Sequence, residues 1–246
     1  MKVNYKNAFE KILLIRKIEK LILHEFNKNK IFSFLHLSIG QEACAVGVSM
    51  ATNKSDFFFG NHRSHHHYLA KGGNIEKMIF EIFGDRRGCC GGIGGSMHLI
   101  DKSVNFQGSV PILGSSISIA SGMAMSKKLE KKNSIVVVFI GDGSAEEGSF
   151  YETVNMAGLY NLPLLVVIED NKYAVESGHN KRKSKDYNFE KIISGLGAIY
   201  ERCNGQDFEN IYKTTLKMKK KILNKKKPGV LHLDCLRFAR HSGAHL

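Results

Sequence analysis

The stretch "SIVVVFIGDGSAEEGSFYETVNMAGLYNLPLLVVIEDN", residues 134–171, contains two apolar runs that each end in polar side chains. The first run, Ile135–Ile140, leads to Asp142 between two glycines, and the second, Leu164–Ile168, leads to the letters EDN that end at Asn171. Continuous apolar runs separated by a helical segment are typical of buried strands in a parallel sheet. Because both strands of such a unit point the same way, Asp142 and Asn171 are expected at the same edge of the sheet.

The rest of the chain continues this alternation of helical and strand patterns, which predicts an α/β fold, a doubly wound parallel sheet with helices on both faces. No internal repeat and no linker-like composition interrupts it, so we expect a single domain over residues 1–246. The histidine-rich stretch 61–73 and the glycine-rich stretch 89–99 are predicted as loops. The pattern predicts helices over 5–28, 40–51, 75–84, 114–132, 145–160, 188–197 and 207–226, and strands over 134–140, 164–168 and 230–238.

The net charge of +13 comes largely from the lysine-rich stretch 213–229, whose interleaved apolar residues predict an amphipathic helix with a solvated basic face. A non-catalytic basic binding protein is the alternative reading, but it leaves the Asp142–Asn171 arrangement unexplained. No aromatic platform accompanies the lysines, so we expect no nucleic-acid partner. The absence of a long apolar run and of C-x-x-C pairs among five cysteines predicts reduced thiols, no membrane span and a cytoplasmic location.

The predicted edge around Asp142 has the features of a phosphate and metal site. Open α/β sheets bind ligands outside the carboxyl ends of their strands, and Gly141 and Gly143 let the backbone turn sharply there. A helix predicted to begin near Ser144 directs its free N–H groups towards the same place. The oxygens of Asp142 and Asn171 suit Mg²⁺ shared with phosphates better than zinc. The plainer alternative is that Asp142 only caps this helix.

The residues around this edge carry a family resemblance. G-D-G followed by an asparagine 29 residues after the aspartate (171 − 142) resembles the thiamine-diphosphate signature. The longer stretch from Gly141 to Val175 is similar to the alpha subunit of thiamine-diphosphate-dependent 2-oxoacid dehydrogenases, which include the pyruvate, branched-chain and acetoin enzymes. Three further stretches agree in order, "HLSIGQEACAVG" (36–47), "NHRSHHHYLAKGG" (61–73) and "GGSMHL" (94–99). The resemblance spans residues 5–241 and implies the diphosphate-binding domain of the thiamine-diphosphate-binding fold.

The resemblance also implies a ligand set. Mg²⁺ is expected on the Asp142 carboxylate, the Asn171 side-chain oxygen and the Tyr173 main-chain carbonyl. Arg63 matches an arginine that grips the diphosphate, and its planar donor fork suits that anion. His62 stands where the family often has tyrosine. The positions that match contacts to thiamine diphosphate are His62, Arg63, Leu113, Gly141, Gly143, Ser144 and Val175.

The catalytic residues implied by the resemblance are histidines. Thiamine diphosphate carries the difficult chemistry, while the protein stabilises charge and moves protons. His65, His36 and His241 match active-site histidines of the family, whereas His66 and His67 match no role and are expected to serve in packing. The family's activating glutamate lies on a separate beta subunit. The resemblance therefore implies a beta partner, as α2β2, for this chain.

The implied reaction is decarboxylation of a 2-oxoacid with acyl transfer to a lipoyl carrier, which adds a lipoyl acyltransferase as a possible partner. Two departures leave the acceptor open. In "FARHSGAHL" Ala239 and Arg240 replace a histidine and a glycine of the family, and the chain stops at Leu246, where alpha subunits usually continue, which suggests a shortened version. The alternative is a transketolase-like or acyloin-forming carboligase subunit that transfers the carbanion to an aldehyde or sugar. The sequence does not specify which 2-oxoacid is used.

Overall fold

The computed structural model describes residues 3–243, and within them a six-stranded sheet forms the centre of the fold. Its strand order is β2-β1-β3-β4-β8-β7, and all neighbouring pairs are parallel. A separate two-stranded hairpin, β5–β6, follows β4. The strands are β1 (Phe57–Gly60), β2 (Phe106–Ser109), β3 (Val136–Gly141), β4 (Leu164–Asp170), β5 (Tyr173–Ala174), β6 (Ser177–Gly178), β7 (Ile199–Asn204) and β8 (Gly229–Asp234).

Helices cover both faces of this sheet, as the α/β prediction requires. Helices α1, α2, α3, α4 and α8 contribute to the core on one face, and α5, α6 and α7 contribute to the core on the other. The helices are α1 (Tyr5–Asn27), α2 (Glu42–Ala51), α3 (His65–Lys71), α4 (Ile75–Ile82), α5 (Ser115–Leu129), α6 (Gly148–Leu159), α7 (Phe189–Gly195) and α8 (Phe208–Lys225).

The alternation of side chains along β3 explains the two cores. Val137 and Phe139 belong to the core beneath α1–α4 and α8, while Val136, Val138 and Ile140 belong to the core beneath α5–α7. Successive side chains of a strand point to opposite faces of the sheet. A strand buried on both faces must therefore be apolar at every position, which is why this run is continuous rather than alternating.

Three sequence predictions about local structure are wrong. The predicted loop 61–73 contains α3, because its histidines are buried rather than solvated. The last strand ends at Asp234 and does not extend to residue 238. The segment after Asp142 forms a short 3₁₀ turn, Ser144–Glu146, and α6 begins only at Gly148.

The lysine-rich stretch is confirmed as part of an amphipathic helix, α8, whose apolar side packs on α2 and the sheet. Several of its lysines form ion pairs within the chain. Lys219 is paired with the buried Asp56, and Lys221 lies 2.7 Å from Glu201. None of the helices among residues 3–243 combines the length and the apolar character that crossing a bilayer requires.

Candidate active site

A cleft opens at the carboxyl ends of β3 and β4. The two strands are paired in register through Gly141 and Glu169, so the residues that follow them emerge side by side. Asp142 is 2% exposed at the base of this cleft. Eleven of the thirteen sequence-predicted site residues line it, namely His62, Arg63, Leu113, Gly141, Asp142, Gly143, Ser144, Asn171, Tyr173, Val175 and His241.

The other two predicted residues, His36 and His65, lie outside the lining of the cleft. His36 is directly behind it, with its ring centroid 4.7 Å from that of His62 and 5.2 Å from that of His241. His65 is fully buried at the start of α3. Its Nε2 lies 2.8 Å from Ser96 Oγ and its Nδ1 lies 3.3 Å from a carboxylate oxygen of Glu19. The sequence alone does not distinguish the histidines that line the cleft from those that lie behind it, since both kinds stand in stretches that match the family.

Arg63 brings a buried positive charge to the cleft. Its guanidinium donates to the main-chain oxygen of Leu37 and, over 2.9 Å, to that of His241. Burial lowers the pKa of Arg63 to about 10, so that the side chain remains charged at neutral pH. Because both partners are neutral carbonyls, no carboxylate in the described part of the chain is bonded to this charge, which can attract an anion in the cleft.

His36, His62 and His241 form a cluster of neutral imidazoles beside Arg63. Burial, followed by the nearby Arg63 charge, lowers the pKa of His36 to about 3, that of His62 to about 2 and that of His241 to about 4. Three ring nitrogens of this cluster have no hydrogen-bond partner among residues 3–243, namely Nδ1 and Nε2 of His62 and Nδ1 of His36. A neutral imidazole offers one donor and one acceptor, and that capacity is unused at His62, whose side chain lines the cleft.

A buried carboxylate, Glu169, forms part of the floor of the cleft. It accepts hydrogen bonds from His66 Nε2 (2.9 Å), His67 Nε2 (3.1 Å) and Gln41 Nε2 (3.2 Å). Burial alone raises the pKa of Glu169, but the two histidines outweigh this and lower it, so the group is ionised. His66 and His67 thus tie α3 to the end of β4, a specific contact that the expected packing role did not include.

Asp142 is held by two side chains that the sequence analysis did not single out. Arg182 donates to Asp142 Oδ2, and His179 Nε2 lies 3.2 Å from the same oxygen. No backbone N–H in the described part of the chain donates to Asp142, which does not support a helix-capping role. The only sequence signal for Arg182 is a run of basic residues after β6, which by itself predicts a solvated loop.

The segment that follows β4 carries backbone strain next to the cleft. Lys172 has φ +74° and Val175 has φ +56°, in the left-handed region that β-branched residues rarely adopt. Strain of this kind often lies at functional sites. The same segment packs tightly, because a Cβ on Gly143 would lie only 2.8 Å from the Cβ of Ala174. Only a glycine therefore fits at this approach of two strand ends.

Comparison with known proteins gives this site its context. The chain is 32% identical over 242 residues to the pyruvate dehydrogenase E1 component subunit alpha of Rickettsia prowazekii, covering 98% of this chain and 74% of that protein. It is also 32% identical over 234 residues to the alpha subunit of the acetoin:2,6-dichlorophenolindophenol oxidoreductase of Cupriavidus necator, covering 95% of this chain and 70% of that protein.

Among solved structures, a transketolase from Campylobacter jejuni superimposes with a TM-score of 0.71 at 17% identity, over 96% of this chain and 38% of that chain. At this identity the likeness shows the fold alone, which is the predicted α/β fold of thiamine-diphosphate enzymes. A sequence profile described as "Dehydrogenase E1 component" matches residues 10–244. The chain belongs to the dehydrogenase E1 component family.

These matches confirm the predicted resemblance to alpha subunits of thiamine-diphosphate-dependent 2-oxoacid dehydrogenases. They also confirm the predicted class of activity, thiamine-diphosphate-dependent decarboxylation of a 2-oxoacid in a dehydrogenase. The carboligase alternative is not favoured by the relatives, whose names are those of dehydrogenase and oxidoreductase subunits. The basic binding protein is not favoured either, because the family match covers the whole edge from Asp142 to Asn171.

Proposed function

We propose that this chain is an alpha subunit whose cleft binds the diphosphate of thiamine diphosphate through Mg²⁺ and prepares the cofactor for a short 2-oxoacid. The observation that carries the proposal is the convergence of Asp142, Asn171 and Tyr173 with Arg63 in one cleft at the ends of β3 and β4. The relatives named for pyruvate and for acetoin support a small substrate, and the pyruvate relative supports a short 2-oxoacid.

The donor set fits a magnesium diphosphate. One carboxylate, one amide oxygen and one main-chain carbonyl leave Mg²⁺ free coordination positions for phosphate oxygens. The buried Asp142 already attracts the positively charged Arg182, which is the electrostatic behaviour expected of a cation site. Gly143 and Ser144 begin a short 3₁₀ turn, whose first N–H groups lack internal partners. We assign these N–H groups and Arg63 to the diphosphate, and Leu113, Val175 and His62 to the remainder of the cofactor.

Thiamine diphosphate, when bound, supplies the electron sink for the loss of carbon dioxide. The chain's own part is to orient the substrate and move protons. His241 lines the cleft, so we assign proton transfer to its imidazole, and we assign His36, whose ring packs against that of His241, to positioning it. A catalytic role for His65 stays a prediction, since its ring nitrogens face Ser96 and Glu19 rather than the cleft.

The chain is proposed to work with a beta subunit. Its relatives are named as alpha subunits, and we assign the glutamate that activates the cofactor to the beta partner. We therefore propose an α2β2 assembly that passes its acyl group to a lipoyl carrier. Reconstitution with the beta subunit, a 2-oxoacid and a lipoyl domain tests this step. Acylation of the lipoyl domain is expected, whereas consumption of an aldehyde acceptor without acylation would favour a carboligase.

The metal assignment is tested by calorimetry of the purified chain with thiamine diphosphate, with and without Mg²⁺. We expect Mg²⁺-dependent binding by the wild type and a loss of roughly tenfold or more in affinity for Asp142→Asn, because a neutral amide is a weaker Mg²⁺ ligand. Asp85→Asn is the matched control, since it makes the same change at a carboxylate paired with Arg87 outside the cleft. Equal binding by all three proteins would remove Asp142 from the site.

A further inference from the structure

Arg182 occupies the carboxylate that is assigned to the metal. Its Nη2 donates to Asp142 Oδ2 and its Nη1 donates to Glu146 Oε1 over 2.6 Å, so one guanidinium bridges two carboxylates. The Arg182 side chain is only 12% exposed, which means that the contact is enclosed rather than a loose surface pair. The group that neutralises Asp142 is therefore a side chain of the protein itself.

This side chain lies on the same segment as one of the assigned metal ligands. Residues 172–188 connect β4 to α7, and Tyr173, whose carbonyl is assigned to Mg²⁺, stands near its beginning. The hairpin β5–β6 returns the chain towards Asp142, and the 3₁₀ turn His179–Lys181 then brings Arg182 onto its carboxylate. One segment thus carries both the guanidinium that is bonded to Asp142 and the carbonyl that is assigned to Mg²⁺.

A guanidinium and Mg²⁺ cannot occupy the same lone pair of Asp142 Oδ2. Mg²⁺ requires its oxygen ligands at about 2.0–2.1 Å in near-octahedral geometry, which leaves no room for a donor on the same lone pair. The two cations also repel each other at such a distance. Glu146, in contrast, lies one 3₁₀ turn further along the chain and can keep Arg182 when Asp142 is taken.

We propose that Arg182 is an internal counter-cation that competes with Mg²⁺ for Asp142, so that it sets the metal affinity of the cofactor site. The proposal rests on the assignment of Asp142 to Mg²⁺ made above. It requires that Arg182 raises the stability of the protein and lowers its affinity for Mg²⁺. The Arg182–Asp142 pair stabilises the fold when no metal is bound, and the free energy needed to break this pair reduces the free energy gained on Mg²⁺ binding.

The test measures Mg²⁺ binding and not turnover. Wild type, Arg182→Gln and Lys181→Gln are titrated with Mg²⁺ at a fixed, saturating concentration of thiamine diphosphate by calorimetry, and their thermal unfolding midpoints are recorded without ligand. Lys181→Gln is the matched control, because it removes the same charge from the neighbouring exposed position, which has no bond to Asp142. The control separates the general effect of local charge from the specific pair.

For Arg182→Gln we expect a lower thermal unfolding midpoint without ligand. We also expect a dissociation constant for Mg²⁺ that is roughly tenfold smaller than in wild type, because one competing charge-assisted hydrogen bond is removed. Arg182→Lys keeps the charge without the bridging fork and should fall between the two. An unchanged or weaker Mg²⁺ affinity in Arg182→Gln, relative to Lys181→Gln, overturns the proposal. Failure of the wild type to bind thiamine diphosphate in a Mg²⁺-dependent way instead overturns the metal assignment itself, and the competition with it.

Discussion

Removal of the Glu169 carboxylate is expected to be the most destabilising single change in the floor of the cleft. Glu169 is 1% exposed and accepts three hydrogen bonds, two from α3 and one from Gln41 at the start of α2. Glu169→Ala leaves all three donors without an acceptor and opens a cavity below the cleft. An unsatisfied buried donor costs about 1–3 kcal/mol, and breaking a buried charged network costs about 3–5 kcal/mol. We expect Glu169→Ala to lose about 3–5 kcal/mol of unfolding free energy.

Glu169→Gln should cost much less, for a specific structural reason. The Nδ1 atoms of His66 and His67 and the Oε1 of Gln41 have no partner among residues 3–243. A change of tautomer in one histidine and a rotation of the Gln41 amide therefore turn donors into acceptors for the new NH₂ group. What remains is the loss of charge assistance, about 1–2 kcal/mol.

Urea unfolding followed by circular dichroism measures the loss of unfolding free energy in both Glu169 variants. The control is Glu10→Ala on the exposed face of α1, for which we expect a change within about 0.5 kcal/mol. The slope of the unfolding free energy against urea should stay constant. The reasoning fails if Glu169→Ala lies within about 1 kcal/mol of the control, or if the Gln and Ala variants are equally destabilised. The first result would mean that the carboxylate is not the acceptor for α3, and the second that the amide cannot be accommodated.

Two further predictions concern acid and the glycine approach. Burial lowers the pKa of His67 to about 4, so on acidification the unfolded chain takes up a proton on this residue near pH 6.5 and the folded chain only near pH 4. The free energy of unfolding should therefore fall between these two pH values, by about 3 kcal/mol from His67 alone. Urea titrations at each pH should show a shallower fall for His67→Gln than for the wild type. The same slope in both proteins would contradict this. Gly143→Ala should weaken Mg²⁺-dependent binding of thiamine diphosphate by roughly tenfold in calorimetry. The new Cβ would lie 2.8 Å from the Cβ of Ala174, so the segment that carries Tyr173 must move away. Unchanged affinity would show that the close contact between Gly143 and Ala174 does not position the cofactor site.

The strand tips were predictable from sequence because β3 and β4 are buried on both faces. Their continuous apolar runs were predicted over 134–140 and 164–168, and the strands are Val136–Gly141 and Leu164–Asp170. The shorter strands β1 and β2 have only four residues each, and β7 is a half-exposed edge strand. Such segments carry too few apolar positions to reveal a period, so they were missed.

The helix α3 was missed for a different reason. Three successive histidines have no strong helix preference and resemble a loop in isolation. Their burial depends on Glu169, which lies about a hundred positions away in the sequence and approaches only when β4 is in the sheet. The same holds for Arg182, whose bond to Asp142 spans 40 residues. Contacts of this kind belong to the tertiary structure and leave no trace in local spacing.

The three carboxylates at the ends of β3 and β4 differ in how firmly their partners are held, and this difference bears on the choice of metal ligand. Glu169 is bonded to side chains on α2 and α3, which are packed in the core. Asp170 is bonded to Lys172 and His179 of the segment 172–188, but also to His232 of strand β8 over 2.8 Å.

Among the residues that the structure describes, Asp142 alone of the three has all its side-chain partners on the segment 172–188, namely His179 and Arg182. Exchange of a partner on a loop requires the loop to move, whereas exchange of a partner on a packed helix or strand disrupts the core. Asp142 is consequently the carboxylate that can give up its protein partners for a metal ion at the lowest cost. The fold thus leaves one of three neighbouring acids free to bind a ligand, and keeps the other two as parts of its frame.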